Sequence, residues 1–435
     1  MTKKSKPSLS SQWCSTDHPG LLEALSKSPR LLLIQDLDGV CMGLVRDPLT
    51  RTLSPEYIRA AARLGHAFRV LTNGEHLGRR GVNAIVDRSL AAVSVGDQNH
   101  ALYLPGLAGG GVQAQDCRGQ AVHPGVSQQE LSFLRSVVEQ CSAFLGQVSA
   151  ELGVSTDPVT RAELAATAVL DNLVSPTINL NPYFDFLGNR CEIYRQLQEH
   201  TCQFMESLML KAAGYPELSD SFFIHYAPNL GRDRSGKERV RLSDGTDAGT
   251  TDFQFMLGGA VKEVGVLVIL NDYYFQQTGK YPLGALFNAR NAPRGRAELL
   301  QLAGQKLDPA LMPQIVGIGD TVTSQSDNEN GEGSLQRGGS DRGFLTLIQD
   351  IGMQFEVDNA VLFVDSSRGE VRRPGLDMNL LKSADAERAW SGLRGISDKQ
   401  DDLRLNFVFP DGHEQYVEFF CKLSAARDSF KYESN

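Results

Sequence analysis

No apolar stretch in the 435-residue chain approaches the roughly 20 residues needed to cross a bilayer; the longest runs cover only residues 31–34 and 265–270. A membrane-spanning helix is therefore not expected. Residues 1–7 carry the lysines of a secretory leader, yet residues 8–20 supply no apolar segment behind them, so export is not expected and a cytoplasmic location is. Cationic excess is also missing: 43 Lys and Arg stand against 52 Asp and Glu, a formal charge of −9. That balance argues against nucleic acid or an anionic membrane as partner, since both are usually met by a basic stripe. The seven cysteines (Cys14, Cys41, Cys117, Cys141, Cys191, Cys202 and Cys421) contain no CxxC pair and no Cys/His cluster at zinc spacing. Reduced, mostly buried thiols are expected, and the dispersed histidines make a histidine-rich metal site improbable.

What is present reads as ordinary globular protein. Hydrophobic residues make up 41% and charged residues 22%, which excludes a disordered chain. The length suits two or three domains. After a polar arm with a short helix at 20–28, residues 31–34 form a continuous apolar run ending in Gln35-Asp36-Leu37-Asp38-Gly39, the pattern of a strand buried on both faces. Helical composition over 55–64 and a second apolar run at 67–71, ending in Thr72-Asn73-Gly74, predict a βαβ crossover in a parallel sheet. A third strand is expected at 101–105, followed by a glycine-rich loop at 106–111 that reads as a hinge or turn because it lacks Walker spacing.

From 128 to 152 and from 195 to 213 the apolar period is helical, and short β-like pieces lie at 222–226 and 239–242. This middle stretch is expected to be a separate α+β unit. Parallel-sheet patterning then returns: a helix from Lys262 through 274, a strand at 315–318 ending in Gly319-Asp320-Thr321, a helix at 344–351, a strand at 361–364 and another at 405–409. The charged, glycine-rich stretch 324–339 reads as an exposed loop.

Three apolar strands thus end in Asp36/Asp38, Thr72/Asn73 and Asp320, and ligands of open α/β sheets bind beyond the carboxyl ends of the strands. Any one of these aspartates alone reads as a helix cap. Gathering three carboxylates is unfavourable without a cation, and an all-oxygen ligand set favours Mg²⁺. A phosphomonoester dianion could be attacked by one aspartate while the other moves protons, but composition and spacing leave the order of Asp36 and Asp38 open.

The segment Asp36-Leu37-Asp38-Gly39-Val40 resembles the first motif of the haloacid dehalogenase superfamily of phosphatases. The strand ending at Thr72 resembles its second motif, Lys262 its third and Gly319-Asp320 its fourth. Longer segments, among them Val70-Leu71-Thr72-Asn73-Gly74-Glu75-His76, Thr250-Thr251-Asp252-Phe253-Gln254-Phe255-Met256 and Gly319-Asp320-Thr321-Val322-Thr323-Ser324-Gln325, resemble the glucosylglycerol-phosphate phosphatase family of cyanobacteria over about residues 31–420. The resemblance implies a Rossmann-like α/β core with a parallel sheet at 1–115 and 259–435, and an inserted α+β type-two cap at 116–258. It implies Asp36 as nucleophile, Asp38 as acid and base, Lys262 as charge-balancing cation, and Thr72 and Asn73 as phosphate ligands. Arg232 and Lys237 are weaker choices for the cation. Mg²⁺ would be held by Asp36, Asp38, Asp320 and a second fourth-motif acid.

That second acid is displaced. The superfamily places it four or five residues after the first, where this chain has Ser324 and Gln325. Asp341, immediately before an apolar helix, takes the role if 324–339 is an insertion; Asp327 is the alternative, and a plain N-cap is the competing view of Asp341. Glu75, His76, Arg79 and Arg80 could contact substrate, although solvated helix positions suit the two arginines better, and residues 171–181 and 225–233 carry polar groups suited to sugar hydroxyls. The implied reaction is hydrolysis of glucosylglycerol 3-phosphate in compatible-solute synthesis, with the upstream synthase as a candidate partner. Sucrose- or trehalose-phosphate hydrolysis and a non-catalytic phosphosugar sensor are the rivals.

Overall fold

Leucine and isoleucine fill strand β1 (Leu31–Gln35), every residue of which is buried, as a strand covered on both faces requires. The structure is a computed structural model that describes residues 8–92, 102–228, 230, 232–233, 236–326 and 335–433. The first part of the chain adds β2 (Phe68–Leu71), β3 (Gly106–Ala108), β4 (Gln113–Gln115) and β5 (Ala121–Val122). The middle part supplies β6 (Val169–Leu170), β7 (Thr177–Asn179), β8 (Phe222–Ala227) and β9 (Asp252–Leu257). The last part contributes β10 (Gln314–Gly319), β11 (Thr323–Ser326), β12 (Leu335–Gly338), β13 (Ala360–Val364) and β14 (Phe407–Phe409).

Eight of these form one sheet in the order β14-β13-β10-β1-β2-β3-β4-β5. The strands from β14 to β3 run parallel, and β4 and β5 turn back antiparallel at the edge. Side chains alternate between its two faces. Leu31, Leu33, Val316 and Ile318 share a core with Tyr57, Tyr416 and Phe420 of the helices Pro55–Leu64 and His413–Glu433. Leu32, Ile34 and Ile315 pack instead with Leu267, Leu345 and Ile348 of the helices Lys262–Thr278 and Arg342–Phe355. The inserted stretch folds as a four-stranded antiparallel sheet, β6-β7-β9-β8, accompanied by the helices Gln128–Glu151, Pro158–Ala168, Asn181–Leu187 and Cys191–Ala213. The fold class is the α/β architecture expected, a parallel-dominated sheet with an α+β insertion.

Several local expectations are corrected. The third strand is not at 101–105 but at Gly106–Ala108, within the stretch read as a hinge. Position 106 needs glycine there because a Cβ would fall 2.2 Å from the carbonyl oxygen of Val70 on the neighbouring strand. Ala121–Val122, within the stretch assigned from 116 onward to the insertion, pairs with β4 in the large sheet. No strand forms at 239–242, because the Arg241 carbonyl is taken by the Thr250 amide at 2.7 Å and its amide by the Thr250 hydroxyl at 2.9 Å. The stretch 324–339 is not simply an exposed loop. β11 and β12 pair as an antiparallel hairpin, and Ser324 is buried.

Candidate active site

Parallel strands β1, β2 and β10 deliver Asp36, Thr72 and Asp320 to one end of the sheet, as their apolar runs predict. The Asp36 amide donates to the Ile318 carbonyl at 3.0 Å, which continues the β1–β10 ladder one residue into the site. The Asp36 carboxylate accepts the Leu37 amide at 2.8 Å and the Lys262 ammonium at 2.6 Å. Lys262, first residue of its helix and only 2% exposed, donates equally to Asp341 at 2.6 Å.

Asp341 stands before the helix Arg342–Phe355, yet its side chain makes no capping bond. It accepts the amides of Asp320 and Thr321 instead, both at 2.9 Å. The β11–β12 hairpin explains the spacing: it leaves the sheet after Asp320 and returns the chain beside it. Arg337 anchors the hairpin through two bonds of 2.8 Å to Asp398. Asp327 lies outside the described residues.

Carboxylate oxygens of Asp36, Asp320 and Asp341 all lie within 4.8 Å of one another. Burial pushes the Asp36 carboxyl up to about 7 against the lowering pull of Lys262. Asp320 is driven well above the usual carboxylate range by burial, then by the charges of Asp341 and Asp36. Burial would lower Lys262, but Asp341 and Asp36 outweigh it and the ammonium is held charged. One Asp320 oxygen accepts the Thr321 hydroxyl at 2.9 Å, and the other has no hydrogen-bond partner among the described residues. An all-oxygen set with one orphaned buried oxygen and more negative charge than one lysine can balance fits a small hard divalent cation.

Asp38 lies outside this cluster. Its carboxylate pairs with Arg51 at 2.8 Å, so the structure does not bring it among the grouped carboxylates, although it lines the same cavity of about 170 Å³. Thr72 and Asn73 line that cavity as well. The glycine run fixes their loop: the Gly109 amide donates to the Gly74 carbonyl at 2.7 Å and the Gly110 amide to the Thr72 carbonyl at 3.0 Å. Arg232 and Lys237 are not brought to the cluster, being engaged by Glu238 and Glu206 respectively.

Glu75 and Arg80 line the same cavity and are tied there to the inserted stretch. Glu75 is buried and accepts the backbone amides of Leu173, Val174 and Ser175 at 2.9, 2.6 and 3.1 Å. Arg80, read as solvated, is buried and paired with Asp171. His76 is fully buried, its amide on the Gln113 side chain at 2.7 Å.

Cavity-lining residues the sequence reading missed include Arg51, Arg373, Asp252 and Gln254. The two arginines carried no local signal. Asp252-Phe253-Gln254-Phe255 did, because strict polar/apolar alternation marks a strand with one wet face.

A family model described as glucosylglycerol-phosphate phosphatase matches residues 30–424. The chain is 48% identical over 421 residues to the glucosylglycerol-phosphate phosphatase of Synechocystis sp., covering 96% of this chain and 98% of that protein. Among solved structures it is similar to the C-terminal domain of trehalose-6-phosphate phosphatase from C. albicans, with TM-score 0.44, 12% identity and coverage of 95% of this chain and 98% of that one. The Aspergillus fumigatus trehalose-6-phosphate phosphatase gives 0.37, 11%, 95% and 99%. With a near full-length match in sequence and a buried Asp/Lys cluster at the sheet's carboxyl end, the chain belongs to the glucosylglycerol-phosphate phosphatase family of phosphoric monoester hydrolases.

Proposed function

We propose that this protein hydrolyses glucosylglycerol 3-phosphate to glucosylglycerol and inorganic phosphate, with Asp36 as nucleophile. The observation that carries the chemistry is the Lys262 ammonium bridging Asp36 and Asp341 at 2.6 Å each, with carboxylate oxygens of Asp36, Asp320 and Asp341 all within 4.8 Å of one another. It keeps a carboxylate ionised and oriented in a site that would otherwise favour its protonation. An Asp36 oxygen attacks phosphorus, the bond to the sugar-alcohol oxygen breaks, and Asp38 gives that oxygen a proton. In the second displacement Asp38 takes a proton from water, the water oxygen attacks the aspartyl-phosphate, and Asp36 is regenerated. Thr72 and Asn73 hold phosphoryl oxygens from the β2 end.

Asp36, Asp320 and Asp341 would hold Mg²⁺, which when bound neutralises phosphoryl charge and orients the ester for in-line attack. Asp38, paired with Arg51, keeps the acid–base role rather than a side-chain ligand role. We place the inserted unit at residues 128–257, over the site, and the reaction in the cytoplasm beside the synthase that makes the ester. A panel of phosphorylated sugars assayed for free phosphate tests the reading. Glucosylglycerol 3-phosphate should be the preferred substrate, Asp36→Asn should lose at least a thousandfold in rate while staying folded, and chelator should stop turnover until Mg²⁺ is restored. Preference for trehalose or sucrose phosphate, or normal turnover by Asp36→Asn, would overturn it.

A further inference from the structure

The sheet of the inserted unit presents one polar face to the cavity. Asp252 and Gln254 alternate with Phe253 and Phe255 on β9, and both phenylalanines are fully buried. Register sets Thr177 of β7 and His225 of β8 on either side of Gln254, and Asn179 of β7 beside Asp252. All five polar residues line the site cavity, whereas Phe253, Tyr226 and Ile178 lie in the hydrophobic core of the unit. A two-residue period thus separates a wet face from a dry one.

Within that face three polar atoms have no hydrogen-bond partner among the described residues: Oδ1 of Asp252, Oε1 of Gln254, and Nε of Arg373, which lines the cavity from the last part of the chain. Polar atoms left unmet at a cavity wall are where a molecule in the cavity, water or ligand, would bond. Two are acceptors and one is a donor. An anionic group would satisfy Arg373 and leave both acceptors unmet, and a cationic group would do the reverse. Hydroxyl groups both donate and accept, so a neutral polyol meets all three.

We propose that Asp252 and Gln254 determine the leaving-group specificity of this site, accepting hydrogen bonds from hydroxyls of a neutral polyol whose oxygens Arg373 also contacts. This rests on the phosphatase reading above and deepens it. The fixed position of the face supports the assignment, since Glu75 clamps the 173–175 backbone immediately before β7.

Rates of the full-length protein on glucosylglycerol 3-phosphate and on p-nitrophenyl phosphate, whose leaving group has no aliphatic hydroxyl, provide the test. Asp252→Ala and Gln254→Leu are expected to lower kcat/KM on the sugar ester about tenfold or more, chiefly through KM, and on the aryl ester by about threefold or less. Asp252→Asn keeps the shape and an acceptor, and should retain more of the sugar-ester rate than Asp252→Ala. Equal losses on the two esters, or an unchanged rate on the sugar ester, would overturn the assignment. Thermal shift with glucosylglycerol alone separates this inference from the reaction itself. If the parent protein released no phosphate from the sugar ester, the proposed reaction and the leaving-group role would fall, yet recognition of the polyol by Asp252 and Gln254 would stand if glucosylglycerol raised the parent Tm more than that of Asp252→Ala. No such difference would sink the inference.

Discussion

A lysine in the first turn of a helix opposes the helix dipole, and Lys262 is stable there because Asp36 and Asp341 each receive its ammonium at 2.6 Å. Removing it leaves two buried carboxylates facing each other. Lys262→Met should cost about 3–5 kcal/mol in urea unfolding, as breaking buried ion pairs does, and should lower phosphate release at least a hundredfold. A variant as stable as the parent would show that the bridge is not holding the site. Glu75 makes a second residue-scale prediction. Burial raises its carboxyl to about 7, although the amides of Val174, Leu173 and Ser175 pull it down. Because the folded value exceeds the 4.5 of the free side chain, its contribution to stability is complete below pH 4.5 and is lost as the pH climbs through 7. Glu75→Gln cannot titrate, so its Tm deficit against the parent should be largest near pH 5 and shrink toward pH 8. A deficit that grows with pH would contradict the assignment.

Among the elements, the glycine run at 109–111 matters more than its length suggests. Its amides hold the Thr72 loop, and a Cβ on Gly110 (φ +65°) would lie 2.5 Å from the carbonyl oxygen of Ala260, two residues before Lys262. The run therefore sets the spacing between the Thr72 loop and the lysine helix. Gly110→Ala is expected to lower both Tm and phosphate release, the latter about tenfold or more, since misplacing a site by about 1 Å carries a penalty of that order; unchanged kinetics would disprove the spacer role. The β11–β12 hairpin does the complementary work of closing a gap in sequence. Its polar, glycine-rich composition reads as a loop, and only the pairing of Thr323 with Gly338 shows it as a strut.

At the scale of the whole molecule, Asp36, Asp320 and Asp341 come from the two outer parts of the chain, separated by the inserted unit. A cation bound by all three would therefore staple the core. Mg²⁺ should raise the Tm of the full-length protein, by about 2.7 kcal/mol of stability at a hundred times Kd. Asp341→Asn should lose most of that rise and Asp327→Asn little of it, and the opposite order would return the second acid to Asp327. The 43 basic and 52 acidic residues, which first argued against nucleic acid and membrane, take on a narrower meaning here. An acidic protein can receive a phosphate dianion if its site carboxylates are balanced locally, by Lys262 and, on the proposed reading, by a divalent cation.

Which polar residues stand at the strand ends was legible in the sequence. Asp36, Thr72 and Asp320 each follow an apolar run, and a strand buried on both faces leaves polar groups nowhere to go but its end. The lysine helix, the parallel sheet and the existence of an α+β insertion were legible for the same reason, since each is a matter of local period. Contacts between distant segments were not. Whether Asp341 caps a helix or meets Lys262, whether Arg80 is solvated or paired with Asp171, and which strands set Asp252 beside Asn179 all depend on register and packing across more than 50 residues of chain. No local pattern encodes such pairings, because a side chain's partner is chosen by where the backbone brings it, and tertiary structure alone decides that.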